Sequence, residues 1–351
     1  MTAPKLLHLP NDLSFDEITE TGPRMAFRSA LAAGELSDVL TVPFLAESCQ
    51  VGEQRFTRSL LERARQFQPD IILWHHVSEF PVDQRLIAEL RGCGSCPLLA
   101  YHEGDAYGRF VKPITTSMRI LCREADVVFL SALGPMARIV RQAGARDVRY
   151  SASFFDPDIY GRPPDPALVG CDFDAVLIGN LVRRIPYLRE LPGATDRFRL
   201  ARKLSTTLGP RFAVFGDGWD CRVNAHGSLP RFDQHSVIQR ALVSVNWDHY
   251  PHYDYYFSDR LPISLAAGIP HVTCYHPGYE NIFRGVDGLF WANSVDEAID
   301  TVRFLLSLGK ERLLLMGAHA REFVLATLSA ETVFRKLLRA CIEKKARAQH
   351  G

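Results

Sequence analysis

Short apolar, β-rich runs recur along this chain, and stretches with helical spacing lie between them. In the first half the runs fall at residues 6–9, 39–42, 70–74, 98–101, 126–130 and 148–150, with helical patterns such as 56–66 and 82–91 between them. Continuous apolar strands alternating with helices belong to a parallel sheet covered on both faces. The pattern breaks at Phe155-Asp156-Pro157-Asp158 and Gly161-Arg162-Pro163-Pro164-Asp165-Pro166, a cluster with the chemistry of a linker. It restarts at 174–179, 212–216, 243–246, 271–274 and 288–291. The expected fold class is α/β, with two Rossmann-like doubly wound domains facing a central cleft. The expected limits are 1–160 and 161–330, with a terminal helix over 331–351 that packs back towards the first domain. A chain of 351 residues suits two domains.

Charge narrows the partners. Lys and Arg number 41 against 40 Asp and Glu, a net charge of +1, so no sequence-wide basic field calls for nucleic acid. The basic tail Lys344, Lys345 and Arg347 reads as a solvated helix end, where the macrodipole favours cations. The start of the chain has no charged segment followed by an apolar core, and no run is long enough to span a bilayer. A cytoplasmic protein without stable membrane or nucleic-acid binding is expected. Its eight cysteines then read as reduced, mostly core, thiols. Cys93 and Cys96 form a lone CxxC, open to a redox role or half a zinc site but most simply a loop.

Ligands in open α/β sheets bind beyond the carboxyl ends of the strands, so the residues that follow each run are the ones to weigh. Gly179 and Asn180 follow one run, with Arg183 and Arg184 next, a backbone that a phosphate can approach with cations to neutralise it. A plain turn with exposed arginines is the simpler alternative. Gly216, Asp217 and Trp219 follow the next run, as a loop along a nucleotide base or as a tight turn with a packed indole. Residues 247–256 are dense in polar aromatics that suit a sugar ring or base. Asp248, His249 and His252 within them have no closed zinc spacing, and no metal is expected. Ser258, Asp259 and Arg260 stand at the start of a short helix over 261–267, either as an anion site or with Ser258 or Asp259 as an ordinary cap. In the first half, His102, Glu103 and Asp105 follow one strand, and His75, His76 and Glu79 the strand before it. Both groups are candidates for activating a hydroxyl. Gly22, between Thr21 and Pro23-Arg24, suits a turn facing a ligand or a capped helix start.

The series Arg260, Leu265, Ala266, Gly268, a strand, Pro277, Gly278, Glu280, then Ser294, Glu297 and Ala298 before a terminal helix resembles the CgeB-type group of GT-B glycosyltransferases, related to glycosyl transferases group 1. The likeness covers residues 179–338. It implies a GT-B fold, a nucleotide-sugar donor held by the C-terminal domain, and acceptor contacts from the N-terminal domain. It places Arg260 at the donor diphosphate and Gly278 and Glu280 along the sugar or ribose. Retaining relatives carry two glutamates with seven residues between them; the corresponding positions here are Tyr256 and Ser264.

The expected activity is metal-independent transfer of a sugar from a nucleoside-diphosphate donor, a UDP- or GDP-sugar, to an acceptor hydroxyl. Arg260 with Arg183 or Arg184 would neutralise the leaving diphosphate. The donor set is Gly22, Gly179, Asn180, Arg183, Arg184, Gly216, Asp217, Trp219, Tyr256, Ser258, Asp259, Arg260, Gly278 and Glu280. His102, Glu103 or Asp105 would orient or deprotonate the acceptor in an inverting enzyme. No tightly bound cofactor is expected. The rival readings are a nucleotide-sugar epimerase or hydrolase, and a binding module without turnover. The acceptor is open between glycan, small molecule, protein and modified DNA base, the last requiring a basic face from Arg24, Arg28, Arg109, Lys112 and Arg119. Oligomeric state is open, a homodimer included.

Overall fold

The structure, a computed structural model, describes residues 3–12, 22–77, 80–182 and 190–350. Its contacts divide the chain into two compact units, residues 1–152 with 330–351, and 153–329.

The first unit holds six parallel strands: β1 (Lys5–Pro10), β2 (Asp38–Thr41), β3 (Ile71–His75), β4 (Leu98–Glu103), β5 (Val127–Leu130) and β6 (Val148–Tyr150). Their order is β2-β1-β3-β4-β5-β6, so the direction of winding reverses between β1 and β3. The helices are α1 (Pro23–Ala32), α2 (Phe44–Val51), α3 (Glu53–Phe67), α4 (Gln84–Arg91), α5 (Thr116–Glu124) and α6 (Pro135–Gln142). Leu6, Leu7, Ile72, Trp74, Leu99, Tyr101, Val127 and Val128 are buried, as strands covered on both faces must be. Asp83 and Thr115 cap α4 and α5, accepting from the N–H groups of Leu86 and Met118.

The second unit begins with α7 (Pro157–Tyr160) and continues through β7 (Phe173–Ile178), α8 (Ala194–Leu208), β8 (Phe212–Phe215), α9 (Gln234–Gln239), β9 (Ala241–Val245), α10 (Arg260–Ala266), β10 (His271–Cys274), α11 (Tyr279–Ile282), β11 (Leu289–Ala292), α12 (Val295–Ser307) and α13 (Lys310–Thr327). Its parallel strands run β11-β10-β9-β7-β8, with the reversal between β7 and β9. Ser294 caps α12 in a Ser-x-x-Glu box, its hydroxyl accepting from Glu297 N–H while the Glu297 carboxylate accepts from Asn293 N–H.

The Pro/Gly/Asp cluster packs into this second unit. Phe155 pairs with Ser329, Arg162 O accepts from Gln239, and Gly161 O accepts from Arg321. The contact division accordingly falls ahead of the cluster, at 152–153. The last helix, α14 (Ala330–His350), belongs to the first unit, where it packs on α1. Its buried residues Ala330, Val333, Phe334, Leu337, Leu338 and Cys341 follow helical spacing on one face. All eight cysteines are free, and half of them, Cys49, Cys96, Cys171 and Cys221, are exposed rather than in the core. No described helix is long and apolar enough to cross a membrane.

Candidate active site

In the second unit the loops after β7, β8, β9 and β10 emerge at one edge of the sheet. The reversal between β7 and β9 opens a crevice there in any doubly wound sheet. Arg197, from the first turn of α8, lies buried at this point. Its Nε donates to Trp247 O at 2.5 Å, one Nη to Asn180 O at 2.7 Å and the other to Asn246 Oδ1 at 3.1 Å. One guanidinium therefore ties the ends of β7 and β9 together. Burial, then the neighbouring charge of Arg260, lowers its pKa to about 10, so it stays cationic at neutral pH.

Arg260 opens α10 beside it. A Cβ on Gly179 would lie 2.8 Å from Arg260 Nε and 3.4 Å from an Arg197 Nη. Glycine there lets the β7 loop backbone run against two cations. The Arg260 side chain is one-third exposed, with Asp259 at 3.4 Å. Its Nε is buried with no hydrogen-bond partner among the described residues. Two guanidiniums side by side repel, and the pair is stabilised by an anion between or beside them.

The other expected donor residues take varied positions. Asn180 Oδ1 accepts from Asp217 N–H at 2.9 Å, and Gly179 O accepts from the Trp219 indole at 2.8 Å, so these side chains fasten the β7 and β8 loops to each other. Gly216 has φ 137°, and a Cβ on it would sit 2.5 Å from Gly179 O; only glycine fits where the loops meet. Asp217 is exposed. Ser258 is buried beside Asn246 and Asp248. Asp259 holds the cap position of α10 but makes no capping bond with its side chain. Tyr256 packs edge-on to His276, 5.4 Å between ring centroids. Glu280 folds back on its own turn, accepting from Tyr275 Oη and from Gly278 N–H. Ser264, the second glutamate-matching position, is buried in a hydroxyl pair with Ser244 at 2.8 Å. Arg183 and Arg184, with Thr21 and Glu79, lie outside the described residues.

In the first unit β3 and β4 end side by side, His75 opposite His102. His102 is 1% exposed and neither of its ring nitrogens has a partner among the described residues. Its ring packs against His75 at 4.7 Å and Phe334 at 5.3 Å, and burial drives its pKa down to about 3. His102 is therefore a sealed neutral imidazole, whereas the neighbouring His76 is 20% exposed. Its Nδ1 lies 2.5 Å from Glu103 Oε1. Glu103 is fully buried and also accepts from Tyr101 Oη at 2.6 Å and Asp105 N–H at 2.9 Å. Burial alone would lower His76, yet the Glu103 carboxylate and its hydrogen bond outweigh it and hold the pKa above its ordinary value. His76 stands at φ 51°, an uncommon backbone for a non-glycine residue, which turns its side chain out at the strand end. Asp105 is exposed and pairs with Lys112 at 2.6 Å. Gly22 caps α1, whose Arg24 pairs with Asp12.

Residues 195–339 match the family described as glycosyl transferase-like. No curated protein matches the sequence significantly. Solved structures resemble it over nearly its full length. Sucrose-phosphate synthase from Thermosynechococcus elongatus is 12% identical with a TM-score of 0.63, covering 98% of this chain and 99% of its own. A glycosyltransferase from Rickettsia africae is 10% identical with a TM-score of 0.60, covering 97% and 98%. HepE from Anabaena, solved in complex with UDP and glucose, is 13% identical with a TM-score of 0.58, covering 97% and 100%. The chain has the GT-B fold.

The structure brings together Arg260 and Gly179, two of the residues weighed from the sequence, and sets beside them Arg197, which the sequence reading did not name. The signal for Arg197 was there: Ala194, Arg197, Phe198, Ala201 and Leu204 share the buried stripe of α8. A charge at helical spacing among apolar residues marks a buried ion with a task. His76 and Glu103 were each noted, and pairing them across two strands needed the sheet register.

Proposed function

We propose that this chain transfers a sugar from a nucleoside-diphosphate donor to an acceptor hydroxyl. The observation that carries the proposal is Arg260 beside Gly179 and Arg197 at the β7/β9 reversal, a cationic pair with a buried donor left over for an anion. Departure of a diphosphate builds negative charge on the leaving oxygens, and preorganised guanidiniums stabilise it without a divalent cation. Arg260 supplies that contact directly, while Arg197, whose donors are already engaged, holds the loops that shape it. UDP is the first nucleotide to test, given the UDP complex of HepE, and GDP the second. Within the first unit, His76, held in one tautomer and orientation by Glu103, is the base we assign to an acceptor hydroxyl, a role first left open among His102, Glu103 and Asp105.

The test is a panel of UDP-, GDP-, TDP- and ADP-sugars, read by thermal shift and by release of nucleoside diphosphate with no divalent cation added. A ligand of the folded state raises its apparent stability. Stabilisation by one nucleotide with release of that diphosphate, both lost in Arg260→Ala, is the expected result. A folded protein that no donor stabilises would overturn the reading. Donor consumption at the same rate with or without any acceptor other than water would favour a hydrolase.

A further inference from the structure

Three side chains at the ends of β9 and β10 converge in a way the donor site does not use. Asp248, Cys274 and His276 are each 2% exposed or less, and one ligand atom from each lies within 4.8 Å of the others. His276 Nε2 is 3.3 Å from Asp248 Oδ2 and 3.5 Å from Cys274 Sγ. The first is long for a charge-assisted hydrogen bond, which prefers about 2.7–2.9 Å. Both are the edge lengths of a tetrahedron around a cation. With zinc–nitrogen and zinc–oxygen bonds of about 2.0–2.2 Å and zinc–sulfur of about 2.3 Å, the N···O edge is about 3.3–3.5 Å and the N···S edge about 3.5–3.6 Å.

We propose that Asp248, Cys274 and His276 bind one divalent cation of the zinc class, a structural site that pins the end of β9 to the end of β10.

The surroundings suit it. His276 Nδ1 donates to Tyr253 O at 3.1 Å; a carbonyl can only accept, so Nδ1 carries hydrogen and Nε2 turns its lone pair towards the other two ligands. The remaining oxygen of Asp248 accepts from Asn246 Nδ2 at 2.9 Å, which fixes the carboxylate. Asp248 N–H donates to Cys274 Sγ at 3.2 Å, the kind of bond that steadies a thiolate. A thiolate, an imidazole and a carboxylate select zinc over magnesium or calcium. On binding, the Cys274 thiol gives its proton to solvent and the sulfur lone pair bonds the metal. A dication with one thiolate, one carboxylate and a neutral imidazole carries no net charge, so the buried cluster holds no uncompensated ion of its own. The fourth corner of the tetrahedron falls to water or to the Ser258 hydroxyl beside Asp248.

The inference does not depend on the donor reading. The experiment is elemental analysis of untagged protein purified without added metal, followed by replacement of the metal with cobalt(II). About one zinc per chain is expected, and the cobalt form should show tetrahedral visible bands with a thiolate charge-transfer band. Replacing the exposed Cys49, Cys96, Cys171 and Cys221 by serine should leave both intact. Cys274→Ser should remove the charge-transfer band, and His276→Gln should lower metal content at least tenfold. Folding of each variant is checked by circular dichroism. If neither buried variant folds, the cobalt spectrum of the four-serine protein decides alone: without a thiolate band, the site is refuted. No metal after purification together with no cobalt uptake would also refute it, as would a band that survives Cys274→Ser. Thermal shift with UDP on the same samples separates the two claims. Metal bound without nucleotide binding sinks only the donor reading, and the reverse sinks only the metal site.

Discussion

Arg197 and Arg260 lie side by side, yet removing them should have different consequences. Arg260 makes one long contact with Asp259 and is partly exposed, so Arg260→Ala should leave the melting temperature nearly unchanged. Its loss should cut the rate of diphosphate release about 10²–10³-fold, the usual effect of removing one preorganised donor from a developing anion. Arg197→Ala strands Trp247 O and Asn246 Oδ1 in the interior and frees Asn180 O at the exposed β7 loop. Each buried group left without its partner costs about 1–3 kcal/mol, so this variant should lose about 2 kcal/mol or more in denaturant unfolding of the second unit. Equal effects of the two variants on stability would show that Arg260 is structural too. A second pair at this scale is His76 and Glu103. A general base works only when unprotonated, and the carboxylate holds the His76 pKa above its ordinary value. The transferase rate should therefore fall as pH drops through a value above about 6.5. Glu103→Gln removes the charge that raises that value, so the acid limb of the kcat/KM profile should move to lower pH as the maximal rate declines. His76→Ala should cost about 10²–10⁴-fold with the acid limb gone. An acid limb unchanged in Glu103→Gln would mean that another group titrates.

The strands were legible because parallel strands need apolar residues on both faces, and a run such as 98–101 or 271–274 has little else to be. Those two runs became Leu98–Glu103 and His271–Cys274. The helix starts were less legible. Ser294, read only as part of a family motif, caps α12, whereas Asp259 looks like a cap and makes no bond, because the residue itself is helical at φ −53° and ψ −22°. The site was legible in its backbone and not in its partnerships. A glycine after a strand can be read from one position, but the contact of Gly179 with Arg260, or of His76 with Glu103, joins positions 81 and 27 residues apart. Only sheet order brings them together. The helix α14 raises a further point at this scale. Phe334 covers His75 at 5.2 Å and His102 at 5.3 Å and meets Phe27 of α1 at 5.9 Å, so one ring seals the floor of the β3/β4 edge. Phe334→Ala should destabilise the first unit by about 3–5 kcal/mol, as emptied aromatic sites do. Phe334→Leu should recover most of that, since it refills the volume with another apolar side chain. Urea midpoints of the three proteins check this, and equal losses for alanine and leucine would show that the ring edges matter rather than the volume.

At the scale of the whole molecule, two compact units need not unfold together, and acid should separate them. His8 and His102 are buried on the same face of the first sheet, with His75 between them. Burial first, then the charge of Arg24 for His8 and of His76 for His102, drives both pKa values to about 3. In the unfolded chain each returns to about 6.5. Above pH 6.5 both states are neutral and the first unit has its full stability. Burial holds His75 well below its ordinary value too, so between pH 6.5 and 3 the unfolded chain binds up to three protons that the folded one refuses, and stability falls as pH falls. One such group costs about 1.4 kcal/mol per pH unit, and the three together about 4 kcal/mol per unit. His76 works in the opposite sense: its raised value adds stability below pH 6.5 that is lost on going more alkaline, but it is one group with a partner at the edge of solvent, so the three buried rings dominate. Two pH units below neutrality should then remove several kcal/mol from a domain whose whole margin is about 5–15 kcal/mol. Hydrogen exchange at pH 7, 6 and 5 should show protection falling over β1, β3, β4 and α14 well before it falls over β7 and β9. His102→Leu, close in volume and unable to titrate, should cut the pH slope of the first unit by about a third while leaving the slope of the second untouched. Uniform loss across both units would place the acid-sensitive groups elsewhere.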